Sequence, residues 1–322
     1  MIAEFITNFG NNDPLLFNAI IALLSLIVVA KAADLLVFSI ANYSRRLGMS
    51  EYVIGFIALS IGGAMPELIA SLTGSFYGSG EIIYGTVLGS NLTQIPILGM
   101  ALLLGSRLKP DSSSKGNAPI LTFIIALLPI LLVIDGTLSR FDGLILLGSF
   151  IFYLGNLWQG EQSRKKKKDL RFKDIYKDML IFIGSLAALL LSARFLVSSS
   201  LRISGILDIS PFIIGIVVIG IGGAAPEIIV QLRSVFQHHE DFIYGNVLGS
   251  IVANSSFVLG IVALIKPFSI PFSSIILTSI FMVAGLLYVL LVLNSGEFNW
   301  KHGLIMIIFY IIFIVLELIF WL

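Results

Sequence analysis

Two glutamates, Glu67 and Glu227, each lie near the middle of a long apolar segment of the chain. If such a segment crosses a bilayer, a charged side chain at its centre costs at least about 2.5–3.5 kcal/mol on insertion scales. Two such charges at equivalent places need a chemical reason. The chemistry that they suggest is the binding of a cation within the apolar layer.

A proline precedes each glutamate, and a pair of glycines stands three residues before each proline. Proline lacks an N–H, so the carbonyl one turn earlier in its helix is freed, and the glycines let the backbone unwind there. A freed carbonyl inside a membrane must be satisfied, and a cation does this well. Two carboxylates with several carbonyls form the all-oxygen ligand set that Ca²⁺ prefers. The residues concerned are Gly62, Gly63 and Pro66 in one segment and Gly222, Gly223 and Pro226 in the other.

The apolar segment that follows each glutamate carries amides and hydroxyls. Residues four apart share a helix face, which groups Ser90 with Gln94 and groups Asn246, Ser250 and Asn254. These side chains could complete a cation site. The candidate ligands beside the glutamates are Ser90, Gln94, Ser250 and Asn254, with Asn91 and Asn246 as additional candidates and Thr93 nearby.

Each of these features has a purely structural alternative. The Gly-x-x-x-Gly spacing at 85–89 and 245–249 is a common helix-packing motif. Ser90 and Ser250 could be interface hydroxyls, and the two glutamates could be protonated, hydrogen-bonded structural acids. The symmetric placement of proline, glycine and glutamate favours ion binding by the glutamates over a role as protonated structural acids.

The two segments belong to an internal repeat. With a shift of 160 residues, Ile54–Gln94 falls on Ile214–Asn254 without a gap, and 18 of the 42 positions from 53 to 94 are identical. The shared residues include the prolines and glutamates as well as Gly85/Gly245, Gly89/Gly249 and Ser90/Ser250. The chain is therefore predicted to consist of two related halves.

The composition predicts an integral membrane protein. Hydrophobic residues make up 57% of the 322 residues and charged residues only 12%, against about 45–50% and 25% in soluble domains. We predict an all-α chain with ten membrane-spanning helices. They lie near residues 14–40, 52–77, 82–105, 117–135, 142–158, 178–200, 209–236, 242–265, 269–294 and 302–322. Five helices per half is an odd number, so the second half must be inverted relative to the first, an arrangement typical of secondary transporters.

The distribution of positive charge predicts the orientation. With the N-terminus outside, the inside loops hold 15 Lys and Arg residues and the outside loops hold three. This favours a multi-pass protein of the cell membrane with both termini outside. The predicted units are a first five-helix repeat at 1–158, a basic cytoplasmic loop at 159–177 and a second, inverted repeat at 178–322. The basic run in that loop could also contact lipid headgroups.

Charge balance favours exchange over other functions. Two ionised carboxylates cannot cross a dry, closed state without a cation, so one cation leaves only when others replace it. A cation channel with the same glutamates is an alternative, but pores usually need rings from several subunits. A membrane enzyme and a purely structural protein are less favoured, since no catalytic pattern is present and cysteine is absent. A net charge of +1 gives no basis for nucleic-acid binding. We expect no cofactor, and a monomer suffices.

At these motifs the chain resembles the cation/Ca²⁺ exchanger superfamily, and within it the prokaryotic Na⁺/Ca²⁺ exchangers. Their repeats carry Gly-Thr-Ser-x-Pro-Glu and then Gly-Ser-Asn-x-x-Asn or a variant with Asp. Here the first element is Gly62-Gly63-Ala64-Met65-Pro66-Glu67 in one half and Gly222-Gly223-Ala224-Ala225-Pro226-Glu227 in the other. The second element is Gly89-Ser90-Asn91-Leu92-Thr93-Gln94 and Gly249-Ser250-Ile251-Val252-Ala253-Asn254.

The resemblance implies that Glu67 and Glu227 bind Ca²⁺ together with the carbonyls of Gly63 and Gly223. It also implies that the first and sixth helices slide as a gate over the other eight. The chain departs from the family pattern where glycine and alanine replace the Thr-Ser hydroxyls before each proline. The missing hydroxyls resemble Na⁺ ligands of the relatives, which weighs against Na⁺, but the chain also lacks the Gly-Asn-x-x-Glu element of the proton-coupled relatives. Na⁺ is kept as the counter-ion with H⁺ as the alternative, and another divalent cation could replace Ca²⁺.

Asp34 in the first helix and Arg194 in the sixth occupy equivalent positions under the 160-residue shift. Opposite charges at such positions could pair where the gating helices cross. The alternative is that Asp34 pairs with Lys31 on its own helix while Arg194 extends toward the interface.

Overall fold

A computed structural model describes residues 13–46, 63–104, 118–159, 172–221, 240–295 and 299–321. In this part of the chain the first half contains α1 (Pro14–Arg46), α2 (Met65–Phe76), α3 (Gly80–Leu103), α4 (Ala118–Leu132) and α5 (Arg140–Gln159). The second half contains α6 (Phe172–Leu207), α7 (Pro211–Ile214), α8 (Glu240–Val252), α9 (Leu259–Ile265), α10 (Ile276–Ser295) and α11 (Trp300–Trp321). Two segments are π-helical. The first, Gly215–Ile221, continues α7, and the second, Ala253–Val258, joins α8 to α9.

Helix is present in all ten predicted segments where the structure describes them. Among the described residues, five spans are long and apolar enough to cross a membrane, namely Pro14–Leu36, Gly80–Leu103, Tyr176–Leu207, Gly245–Ile265 and Trp300–Ile319. Shorter apolar helices cover Pro119–Leu132, Pro211–Gly220 and Ile276–Val292. Residues 52–62 and 222–236 of two predicted helices lie outside the described residues.

The predicted start of the ninth segment at residue 269 is wrong. Residues Phe268–Ser269 form strand β2, Phe272–Ser274 form a 3₁₀ turn, and the helix begins only at Ile276. Pro267 and Pro271 interrupt regular helical hydrogen bonding here, because neither has a backbone N–H. The apolar composition of this stretch concealed the strand.

Strand β2 pairs antiparallel with β1 (Thr137–Leu138), which follows α4, so that Leu138 lies opposite Phe268. Phe268 also packs edge-on against Tyr84 at a ring-centroid distance of 5.8 Å. Lys266 places its Nζ atom 5.8 Å from the ring centroid of Phe76, at the end of α2. The turns after α2, α4 and α9 therefore meet at one end of the bundle, which we call the β-ribbon end.

The other end of the bundle is marked by contacts between α3 and α11. A Cβ atom built on Gly99 would lie 2.7 Å from the carbonyl oxygen of Gly303. The Tyr288 hydroxyl on α10 lies 2.8 Å from Nδ1 of His302. The last turns of α3 and the first turns of α11 thus lie together, far from the β-ribbon.

Helix α3 is the centre of the bundle, and nearly all of its residues are buried. It packs against α2, α10, α11 and the first π-helical segment. Helices α1 and α6 pack mainly against each other at the periphery. The buried positions of α1 repeat at alternating spacings of four and three, the heptad pattern of paired helices. They are Asn18, Ala22, Ser25, Val29, Ala32, Leu36 and Ser39.

The Gly-x-x-x-Gly motif at 85–89 is a packing motif in this structure. A Cβ atom on Gly89 would lie 2.8 Å from Cα of Ile216, and one on Gly220 would lie 3.1 Å from Cα of Gly89. A Cβ atom on Gly85 would meet the carbonyl oxygen of Phe212. Only glycine allows backbones to approach this closely, so α3 of the first half and the π-helical segment of the second half touch directly.

We expect Gly85→Ala to destabilise the protein while Gly245→Ala does not, although the two glycines occupy equivalent positions in the repeat. The added methyl at 85 would collide with backbone, and such overpacking costs about 1–3 kcal/mol. At Gly245 no atom of the described residues lies within 4 Å of the added carbon. The measurement is the apparent melting temperature of each purified variant in detergent. Equal melting temperatures for the two variants would contradict the close contact.

Candidate cation-binding site

Glu67 lies in the first turn of α2 and is 2% exposed. Pro66 stands beside it at the helix start, where a missing N–H leaves no hydrogen bond unmade. Ala64 precedes the helix and offers no side-chain cap. A carboxylate at this position is stabilised by the partial positive charge of the helix N-terminus. The sequence predicted a proline within a continuous helix, but the described helix begins at Met65.

Ser90 connects Glu67 to the second half of the chain. Its hydroxyl donates to Oε1 of Glu67 at 2.9 Å and also lies within 3.3 Å of the carbonyl oxygen of Gly220. Ser90 is on α3 and Gly220 is in the first π-helical segment. A carboxylate, a hydroxyl and a carbonyl from both halves therefore meet at one buried point.

Asn91 makes a second contact between the halves. Its amide nitrogen donates to the hydroxyl of Ser255 at 2.8 Å and lies 3.9 Å from the sulfur of Met282. The Oδ1 atom of Asn91 has no hydrogen-bond partner among the described residues. Under the 160-residue shift Asn91 corresponds to Ile251 and Ser255 to Ile95, so this bond has no equivalent across the repeat.

The other predicted ligands of these two helices are also buried. Gln94, Ser250 and Asn254 are at most 1% exposed, and Asn246 is 5% exposed. The Oδ1 atom of Asn254 has no hydrogen-bond partner within the part of the chain that the structure describes. These buried polar side chains belong to α3, α8 and the second π-helical segment.

Thr93 is linked to α11. Its hydroxyl donates to the carbonyl of Gly89 at 2.8 Å and lies 3.1 Å from the hydroxyl of Tyr310. Because threonine has a single hydroxyl hydrogen, Tyr310 must donate in the second contact. Thr93 therefore links Gly89 of its own helix to Tyr310 of α11.

Both halves interrupt their helical hydrogen bonding at the same point of the repeat. Pro96 lies inside α3 and leaves the carbonyl of Leu92 without its helical donor. The equivalent residue in the second half, Ser256, lies within the second π-helical segment. π-Helical turns frequently occur at functional sites because they redirect carbonyls and side chains.

Some of the predicted site lies outside the described residues. The residues outside the described ranges are Gly62, Gly222, Gly223 and Glu227. Gly63 is described and lies just before α2. The convergence of the two glutamates therefore stays a prediction. In the described ranges no group of three or more His, Cys, Asp and Glu side chains could hold a metal.

Asp34 and Arg194 are both exposed on their helices. Among the residues that the structure describes, no salt bridge joins them, and none joins Asp34 to Lys31. The gate pair stays a prediction.

Sequence reasoning missed three contributors to this region. Gly220 supplies a carbonyl, Ser255 binds Asn91, and Tyr310 binds Thr93. Ser255 had a signal in the sequence, since Asn254, Ser255 and Ser256 form a polar run in an apolar segment. A further buried acid, Glu317 on α11, accepts a hydrogen bond from Thr278 at 3.1 Å, in a contact between α10 and α11.

The helical fold and the buried oxygen cluster define a multi-pass membrane protein with an internal polar site. The chain belongs to the family of sodium/calcium exchanger proteins, whose model matches residues 17–159 and again residues 177–319. The two matches are offset by 160 residues, which confirms the internal repeat. This is a family of transporters.

Relatives match across most of the chain. The sodium/calcium exchanger MaX1 of Methanosarcina acetivorans is 27% identical, over 92% of this chain and 97% of that protein. The inner membrane protein YrbG of Escherichia coli is 27% identical, over 76% and 79%. The structure of the sodium–calcium exchanger NCX_Mj soaked with 2.5 mM Na⁺ and 10 mM Sr²⁺ superposes with a TM-score of 0.67 at 24% identity, covering 94% of this chain and 99% of that one.

The bond between Asn91 and Ser255 should appear as a coupling between the two halves. We expect the Asn91→Ala and Ser255→Ala variants to destabilise the protein non-additively, with a coupling of about 0.5–1.5 kcal/mol. Ser256→Ala is the matched control, because Ser256 bonds only the carbonyl of Val252, and its effect should add to that of Asn91→Ala. The measurement is unfolding of the single and double variants in mixed micelles. An additive Asn91/Ser255 pair would refute the contact.

Proposed function

We propose that this chain is a secondary active antiporter that exchanges Ca²⁺ for Na⁺ by alternating access, with Glu67 and Glu227 as carboxylate ligands. The observation that carries the proposal is the buried contact of Glu67 with Ser90, whose hydroxyl also reaches Gly220 in the second half. Sites at the junction of two repeats are the rule in transporters of this design. Gln94, Ser250 and Asn254 supply further oxygens, and the carbonyls of Gly63 and Gly223 complete the proposed set.

The proposed architecture is ten membrane helices arranged as two inverted five-helix repeats, at 1–158 and 178–322, joined by the basic loop 159–177. The double family match and the helices within all ten predicted segments support it. The β-ribbon adds support, because the turns after α2, α4 and α9 share one end. These are loops that the charge distribution predicts to lie on the same side.

The β-ribbon end is proposed to be the outer side of the cell membrane. The turns that meet there contain few basic residues, one of which is Lys266. The long basic loop between the halves would then be cytoplasmic, with both termini outside.

The mechanism follows from the charge of the site. Burial makes an ionised carboxylate without a counter-charge too costly for a closed, dry state. When the site holds Ca²⁺, the cation compensates the negative charge of the carboxylates. Bound Na⁺ or protons compensate that charge as well. Only the cation-bound protein would then switch between facing one side of the membrane and facing the other. This is the condition for coupled exchange. The Ser90 hydroxyl stabilises the carboxylate but cannot neutralise it.

Two observations bear on the counter-ion. MaX1 is named as a sodium/calcium exchanger, and NCX_Mj was soaked with Na⁺ and Sr²⁺. In this chain, however, Gly63 and Ala64 offer no side-chain hydroxyl beside Glu67. Na⁺ remains the proposed partner, and H⁺ is the alternative that the transport experiment separates.

The test is uptake of ⁴⁵Ca²⁺ into proteoliposomes with an outward gradient of either Na⁺ or H⁺. We expect uptake driven by the Na⁺ gradient in the native protein, and its loss by at least about tenfold in Glu67→Gln and Glu227→Gln, because each substitution removes a ligand charge. Asp208→Asn is the control, since Asp208 is an exposed residue in a turn with a φ of 54° that asparagine accepts.

Uptake driven only by the H⁺ gradient would replace Na⁺ with H⁺ in the proposal. Flux without any counter-ion gradient dependence would indicate a channel. Full activity in both glutamine variants would refute the site.

The proposed gate comprises α1 and α6, which pack along each other outside the central bundle. Asp34 and Arg194 are proposed to pair in a state in which these helices have moved. We expect the Asp34→Asn and Arg194→Gln variants to affect the transport rate non-additively in a double-mutant cycle. Additive effects on the rate would remove the pair from the mechanism.

A further inference from the structure

Three hydroxyl side chains line the contact between α2 and α3 on the side of Glu67 that leads to the β-ribbon end. Ser71 and Thr86 are fully buried and Ser75 is 2% exposed. Their hydroxyl oxygens have no hydrogen-bond partner among the described residues. None of the three belongs to the cation site described above.

Ser71, Ser75 and Thr86 form a row of hydroxyls that begins next to Glu67, and we call this row the file. Ser71 follows Glu67 by four residues and Ser75 follows Ser71 by four, so each lies one turn, or about 6 Å, further along α2. On α3, Thr86 precedes Ser90 by one turn. Helices α2 and α3 run antiparallel, since Glu67 contacts Ser90 while a Cβ atom on Gly74 would lie 3.6 Å from Cγ1 of Ile83. Counting inward from these two contacts places Ser71 opposite Thr86.

Other hydroxyls in the helical segments of the bundle, buried or half-buried, are satisfied by their own backbone. Thr73 donates to the carbonyl of Ile69 at 2.7 Å, Thr93 to that of Gly89, and Ser256 to that of Val252. This is the ordinary solution for serine and threonine inside a helix. Ser71, Ser75 and Thr86 do not adopt it. A buried hydroxyl in an apolar bundle calls for water or an ion as its partner.

A fourth hydroxyl approaches from the helix that we propose to move. Ser200 on α6 is fully buried and its oxygen has no partner within the described ranges. It shares a helix face with Val197 and Ile203, which pack in one apolar cluster with Ala70 of α2 and Ile82 of α3. Ile82 is one turn before Thr86. The file therefore lies where α6 covers the α2–α3 pair.

We propose that Ser71, Ser75 and Thr86 line the path by which cations pass between the β-ribbon end and Glu67, with Ser71 and Thr86 as the last oxygen ligands before the carboxylate. This inference rests on the proposed exchange function. Neutral hydroxyls suit such a path because they replace part of an ion's hydration without holding it tightly.

The path belongs to one side of the membrane. Under the 160-residue shift Ser71 corresponds to Gln231, Ser75 to Val235 and Thr86 to Asn246. In an inverted repeat these residues would serve the opposite side, with amides in place of the hydroxyls of Ser71 and Thr86 and an apolar side chain in place of Ser75. Changes at Ser71 and Thr86 should therefore affect ion access from the β-ribbon end only.

The first experiment uses the absence of cysteine from the chain. Ser71→Cys, Ser75→Cys and Thr86→Cys are each reconstituted and exposed to a membrane-impermeant, cationic methanethiosulfonate reagent. A thiol must ionise to react, so only a wet path permits labelling. Tyr77→Cys, at the exposed end of α2, identifies the β-ribbon side, and Thr73→Cys is the control whose native hydroxyl is satisfied by its own helix.

We expect labelling of the three file variants from the same side as Tyr77→Cys, slowed at least about threefold by saturating Ca²⁺, with no labelling of Thr73→Cys. If Tyr77→Cys reacts while none of the three file variants reacts from that side, the path is refuted. Labelling from the opposite side only would refute it as well.

The second experiment measures transport in both directions. We expect the Ser71→Ala/Thr86→Val double variant to raise the KM for Ca²⁺ at the β-ribbon side by about three- to tenfold, as loss of hydroxyl ligands implies, and to leave the KM at the other side unchanged. Thr73→Val should leave both values unchanged. Equal shifts on both sides, or none, would refute the path.

The two proposals can fail separately. A native protein without gradient-driven exchange would refute the proposed function, whatever the labelling shows. A native protein that exchanges normally, with file cysteines that never react, would refute the path alone.

Discussion

The hydrogen bond from Ser90 to Glu67 is the interaction on which the arrangement of the bundle depends. A carboxylate that is 2% exposed in an apolar bundle needs a donor close at hand, and Ser90 provides it at 2.9 Å. The same hydroxyl lies 3.3 Å from the carbonyl of Gly220. Through Ser90, the buried carboxylate of the first half is therefore linked to the backbone of the second half.

That meeting is possible because the backbones can approach each other. Gly85 and Gly89 on α3 face Gly215 and Gly220 on the π-helical segment, where any side chain would collide with main-chain atoms. The glycines therefore allow the two halves to touch although they carry no functional group. Among the described residues, no atom lies within 4 Å of a Cβ atom built on the equivalent Gly245, which is exposed.

The two halves also interrupt their helices by different means. A proline at position 96 and a π-helical turn around Ser256 occupy equivalent places in the repeat. Each disturbs the regular ladder of carbonyls next to a polar cluster. The bond between Asn91 and Ser255 has no symmetric equivalent, because isoleucine stands at both corresponding positions. The two halves thus present unlike residues to each other, joined by bonds that cross the repeat.

The sequence alone determined the membrane class, the repeat, the positions of the helical segments and the burial of Ser90, Gln94, Ser250 and Asn254. These properties follow from apolar periodicity and from the cost of placing polar groups in hydrocarbon, both of which are local. Only the tertiary structure decided that Ser90 bonds Glu67, that Asn91 reaches Ser255, that Thr93 is occupied by Tyr310, and that β2 replaces the start of a helix. Those outcomes depend on which backbones pack at which register, and residues between 23 and 217 positions apart in sequence leave no local pattern that specifies their contact.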